Sequence, residues 1–139
     1  MTEKKSPSLE EEWKRASSIQ KEAREEGFDW PHVSGVLNKI REEVEEIRCE
    51  IEKGDPAGVS AEYGDLLFSV VKLSRYIILD PAECLSLTNE KFITRFRAIL
   101  RRAEEEGASF SALSLEEMSR LWEEAKNEEP AKKDLQKLF

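Results

Sequence analysis

Residues 39–71 read KIREEVEEIRCEIEKGDPAGVSAEYGDLLFSVV. Two pairs of acids stand in this stretch, Glu43 with Glu46 and Glu62 with Asp65, and the members of each pair are three residues apart. On a helix, a spacing of three puts both members on one side. Between the pairs lies Gly54-Asp55-Pro56-Ala57-Gly58, a helix-breaking run. Two helices folded back across that run make a hairpin in which the four carboxylates converge. Hard cations such as Mg²⁺ take oxygen ligands of this kind.

The helical wheel sorts these acids from their neighbours. On the first helix Ile40, Val44, Ile47 and Ile51 form an apolar stripe. At roughly 100° per residue, Glu43 falls about 60° from it and Glu46 about 120°, on the same side. Glu50 falls between them, while Glu42 and Glu45 point largely to solvent. On the second helix the stripe is Leu66, Val70, Leu73 and Ile77. Glu62 lies about 40° from its centre and Asp65 about 100° away. A glutamate-rich face by itself is an ordinary solvated face. An acid in line with a core stripe is uncommon unless it is paired or binds a metal, so Glu62 carries the most weight.

Outward from this stretch, the pattern predicts an all-α bundle of about five helices. Ser8-Leu9-Glu10-Glu11 has capping-box spacing and opens a helix that runs to about Glu26, with Gly27 as its stop. Phe28-Asp29-Trp30-Pro31 connects to a second helix with Pro31 in its first turn, ending near Lys53-Gly54. A third helix is expected from Val59 or Ser60 to about Leu79. Asp80-Pro81-Ala82-Glu83 opens a fourth, to about Glu106, and Ser114-Leu115-Glu116-Glu117 a fifth, to about Asn127. The expectation is one domain over residues 1–127 and a charged, frayed or weakly helical tail over 128–139.

The third helix is apolar nearly all round, with Leu67, Phe68, Val71 and Ile78 beside its stripe. Such a helix needs cover on more than one side. This predicts a homodimer that completes a four-helix core around the site. The fourth helix has a stripe of Leu85, Phe92, Phe96, Ile99 and Ala103, flanked by Lys91, Arg95 and Arg102. Basic groups suit phosphate as the acids suit its metal.

Composition narrows the partners. The chain has 139 residues, 37% charged and 39% apolar, with net charge −8. That balance fits a soluble domain and argues against nucleic-acid binding, which needs clustered positive charge. Leu66–Leu79 is too short and too polar to span a membrane. MTEKKSPS lacks the apolar core of a signal peptide. Cys49 and Cys84 form no CxxC pair and read as two reduced thiols of a cytoplasmic protein. His32 is the sole histidine, which rules out a di-iron bundle with two Glu-x-x-His motifs.

These residues resemble a known family, the MazG nucleoside triphosphate pyrophosphohydrolases of the all-α NTP pyrophosphatase superfamily. The family pattern, Glu-x-x-Glu, a spacer, then Glu-x-x-Asp, reads here Glu43-Val44-Glu45-Glu46 and Glu62-Tyr63-Gly64-Asp65. Family-like strings surround it: GFDW at Gly27–Trp30, GDLLF at Gly64–Phe68, NEKFITRF at Asn89–Phe96, and LSLEEMSRLWEEAK ending at Lys126.

The resemblance implies that Glu43, Glu46, Glu62 and Asp65 bind Mg²⁺, with Mn²⁺ as a substitute. It implies that Lys91 and Arg95 contact the triphosphate of a nucleoside triphosphate substrate, and that Asn89, Lys21 and Trp122 are further nucleotide contacts. Phe28 or Trp30 is expected to stack on the base. The expected reaction is hydrolysis to the nucleoside monophosphate and pyrophosphate. A dUTPase, a dCTPase or a phosphoribosyl-ATP pyrophosphohydrolase would share this logic. A non-catalytic acidic module that binds a basic partner is the alternative of another class.

Overall fold

The computed structural model describes residues 5–128, and all regular structure among them is helical. The tail beyond residue 128 lies outside the described residues. Helix α1 spans Leu9–Glu25, α2 Val33–Lys53, α3 Pro56–Ile77, α4 Pro81–Glu105 and α5 Leu115–Asn127, with a 3₁₀ turn at Phe110–Ala112.

Local chemistry sets the helix starts. The Ser8 hydroxyl accepts the N–H of Glu11, and that of Ser114 accepts the N–H of Glu117, each at 3.1 Å. Each cap satisfies a donor that the first turn leaves unpaired. Two expected starts are corrected. Helix α2 does not take Pro31 into its first turn: His32 is the N-cap and Val33 the first residue. Helix α3 begins at Pro56, not near Val59. Asp55 caps it by accepting the N–H of Ala57 at 3.2 Å, and Pro56 stands first, where a missing N–H costs nothing. The break is therefore only Gly54-Asp55, and Gly54 takes the left-handed conformation (φ 69°) that closes α2.

The chain divides into two compact units, Met1–Asp80 and Pro81–Phe139. In the first, α2 and α3 pack as a hairpin and α1 lies on α3. The Gln20 amide, buried, donates to the Phe68 carbonyl at 2.9 Å and clamps α1 in place. Val36 and Val71 are the buried hydrophobic residues described in this unit, alongside the polar Gln20, Glu43 and Ser69. The stripe read for α2 is rotated in fact. Val44 and Ile51 face outward, 44% and 61% exposed, while Val36 and Glu43 are buried. The wheel merged two apolar faces that share Ile40 and Ile47, both half-buried.

The second unit folds α4 against α5 and the 3₁₀ turn. Its core is Ile99, Ala103, Leu113, Leu121 and Ala125, with Phe110, Met118 and Trp122 packed on it. The α4 stripe holds in its C-terminal half, whereas Leu85 and Phe92 are exposed. Arg102 departs from the expected basic flank: it pairs with Glu124 at 3.1 Å and with Glu128, as a strut between α4 and α5. Cys49 and Cys84 are free thiols. Among the described residues, no helix is long and apolar enough to cross a membrane.

Candidate functional site

The tight Gly54-Asp55 turn fixes the register of α2 against α3 and sets the two acid pairs opposite each other. Glu43, Glu62 and Asp65 each bring a carboxylate oxygen within 4.8 Å of the others. Glu43 is 3% exposed. One oxygen of Glu43 and one of Glu62, both Oε2, are buried without a hydrogen-bond partner. Buried carboxylate oxygens without a donor are costly and call for a cation.

Glu46 is not part of this close triad but lies beside Glu62. The Glu62 carboxyl is pushed up from 4.5 to about 7, first by its contact with Glu46, then by Glu43, burial and the charge of both neighbours. Like charges at this distance cannot all ionise unless a cation offsets them. The donor set is all oxygen, which fits a hard divalent ion such as Mg²⁺ or Mn²⁺.

Beside the triad a cleft of ≈ 340 Å³ is lined by Phe28, Trp30, Val36, Lys39, Glu43, Asp65, Phe68, Ser69 and Lys72. Lys39 reaches Glu43 at 3.2 Å and Glu42 at 3.5 Å, and contact with Glu43 raises its own pKa. The aromatic rims come from the α1–α2 connection, which is pinned to α3. Arg75 Nη2 donates to both oxygens of Asp29 at 2.7 and 2.8 Å. The Tyr76 hydroxyl lies within hydrogen-bond reach of an Asp29 oxygen, at 3.1 Å, and of the Trp30 carbonyl. Burial raises the Asp29 pKa, but the Trp30 backbone N–H, Tyr76 and Arg75 outweigh it, and the net shift is downward. Trp30 packs on Gly35, where an added Cβ would meet the indole at 3.0 Å.

The other expected contacts stand on α1 and, in the second unit, on α4 and α5. Lys21 is exposed on α1, and Asn89 and Lys91 are exposed on α4. Arg95 is buried, its guanidinium 5.5 Å over the Trp122 ring. Trp122 is half-buried in an aromatic cluster with Phe92 (centroids 5.4 Å apart) that continues through Phe96 to Phe110. Sequence reasoning missed Lys39, Lys72 and the Asp29–Arg75–Tyr76 anchor. Lys39 stands four residues before Glu43 and was legible as an i,i+4 pair. Lys72 stands seven after Asp65, two turns along the same face of α3. The anchor joins residues 46 and 47 apart and leaves no local signal.

A helical hairpin that gathers carboxylates from both arms defines an all-α protein with an acidic centre. Comparison with known proteins places it more closely. Residues 32–99 match the MazG nucleotide pyrophosphohydrolase domain. The chain is 40% identical over 111 residues to the nucleoside triphosphate pyrophosphohydrolase/pyrophosphatase MazG of Thermotoga maritima, covering 80% of this chain and 42% of that protein. It is 36% identical over 117 residues to the nucleoside triphosphate pyrophosphohydrolase of Escherichia coli K12, covering 83% of this chain and 44% of that protein. An uncharacterised Bacillus subtilis protein, YabN, shares 45% identity over 71 residues, 14% of its length. The chain belongs to the MazG family and spans less than half the length of the Thermotoga and Escherichia relatives.

Proposed function

We propose that this chain is a metal-dependent nucleoside triphosphate pyrophosphohydrolase, converting a nucleoside triphosphate to the monophosphate and pyrophosphate. The observation that carries this reading is the Glu43–Glu62–Asp65 triad with its two buried, donorless oxygens. The names of the Thermotoga and Escherichia relatives support the reaction class.

Glu43, Glu62 and Asp65, with Glu46 as the fourth acid, hold Mg²⁺ or Mn²⁺ in this reading. When bound, the ion polarises phosphoryl oxygens and lowers the pKa of a coordinated water. The protein's own groups divide the remaining work. Glu42 is engaged by Lys39, and Glu50 by Lys53 at 3.2 Å. Glu46, exposed beside Glu62, is the acid best placed to take the proton of attacking water. Lys91 and Arg95 are assigned to the phosphates, and Asn89, Lys21 and Trp122 to further nucleotide contacts, on the match of their strings to the family pattern.

A second copy is proposed to cover the outer face of the hairpin. Leu37, Val44 and Ile51 recur at steps of seven on α2 and are 44%, 44% and 61% exposed. Tyr63 and Ile77, fourteen apart on α3, are exposed as well. An apolar seam of period seven suits helix-to-helix packing.

Pyrophosphate release from each of the common ribo- and deoxyribonucleoside triphosphates with Mg²⁺ tests the activity. Glu62→Ala and Asp65→Ala are each expected to lower kcat by roughly 100-fold or more, the scale of a lost electrostatic stabiliser. Retained turnover in either variant would remove the ligand assignment. The same panel separates this reading from the dUTPase, dCTPase and phosphoribosyl-ATP alternatives once phosphoribosyl-ATP is added.

A further inference from the structure

The cleft beside the triad has a composition that a metal site does not require. Two of its lining residues, Glu43 and Asp65, belong to the triad, so a ligand held there extends directly into the cleft. The remaining wall is mainly aromatic: Phe28, Trp30 and Phe68. Phe28 and Trp30 are 77% and 43% exposed, yet the residue between them is tied to α3 by Arg75 and Tyr76. Exposed rings on an anchored loop are a preformed platform, and binding there orders little.

Two cations and two acids also stand on the cleft wall. Lys39 is paired with Glu43 and Glu42, and Asp65 adds a further negative charge. Lys72 is the other cation; its Nζ lies 5.9 Å over the Phe68 ring, and it makes no ion pair among the described residues. Three aromatic walls suit a flat ring, in a cleft at the small end of the roughly 300–1,000 Å³ typical of ligand sites.

Resting on the pyrophosphohydrolase reading and on the base stacking expected of Phe28 or Trp30, we infer that Lys72 biases this cleft toward oxo bases. An ammonium group only donates hydrogen bonds. Guanine presents O6 and thymine or uracil O4 where adenine and cytosine present amino donors. Lys72 therefore rewards the first set and leaves its own donor opposed by another donor in the second. Trp30 and Phe28 supply the stacking, which is indifferent to base identity.

The test compares kcat/KM for GTP against ATP, and for UTP against CTP, in wild type and Lys72→Met. The wild type is expected to favour the oxo member of each pair by about tenfold, the scale of one charged hydrogen bond. Lys72→Met is expected to bring both ratios close to one. Ratios near one in the wild type, or unchanged in the variant, overturn the assignment. If no triphosphate is hydrolysed, the pyrophosphohydrolase reading fails, and a binding readout still judges the cleft. The Trp30 indole N–H resonance, identified by its loss in Trp30→Phe, should shift on titration with GMP at concentrations where AMP leaves it in place. An equal response to both, or none to either, overturns the subsite.

Discussion

Glu62 shows how one residue can be read from spacing and still hold a property that only its neighbours create. Its place near the α3 stripe was legible, but its pKa of about 7 comes from Glu46 and Glu43 on the other arm of the hairpin. The sign of the consequence follows. A carboxyl raised in the folded state stabilises the fold fully below its ordinary value of 4.5, and that contribution is lost as pH rises through about 7. Metal-free protein should therefore melt at lower temperature at about pH 8 than at about pH 5, and Glu62→Gln should flatten the difference. Mg²⁺ should raise Tm more at the higher pH, because it competes there with fewer protons. Thermal melts in chelator and in Mg²⁺ across this range check all three outcomes. Lys72 belongs to the same scale: its sequence position is unremarkable, and its meaning comes from Phe28 and Trp30, which arrive from another element.

At the scale of elements, the starts of α1 and α5 and the turn after α2 follow from local chemistry. Serine hydroxyls cap two helices, Asp55 caps a third, and Gly54 takes φ 69°. The α3 start was misjudged because Asp-Pro both ends one helix and begins the next. The phase of α2 was misjudged for another reason. Its apolar residues cover two faces, and a wheel cannot tell which of them meets α3. One element end remains strained. Ile78, closing α3, sits at φ 51°, a left-handed conformation that a β-branched residue resists, and its side chain is 88% exposed. Ile78→Gly should therefore raise the unfolding free energy by roughly 1 kcal/mol, the strain relieved exceeding the entropy that glycine adds to the unfolded chain. Denaturant titration measures it, and a loss of stability would show that the isoleucine contributes packing there.

At the scale of the whole molecule, the thin core of the first unit is the governing fact. Among the described residues Val36 and Val71 are its buried hydrophobic ones, while α2 and α3 present Leu37, Val44, Ile51, Tyr63 and Ile77 outward. If a second copy covers that face, Val44→Glu places a charge in an apolar seam and should halve the mass measured by light scattering. A wild-type mass of one chain would refute the proposed dimer. The sequence by itself determined the all-helical class, most helix ends and the identity of the acids, because capping, glycine turns and three-residue spacing act within a few residues. Only the tertiary structure decided that Glu43 is buried while Val44 is exposed, that Arg102 serves α5, and that Lys72 shares a cleft with Phe28 and Trp30. Those outcomes depend on which faces meet, and that choice is set by packing between segments tens of residues apart.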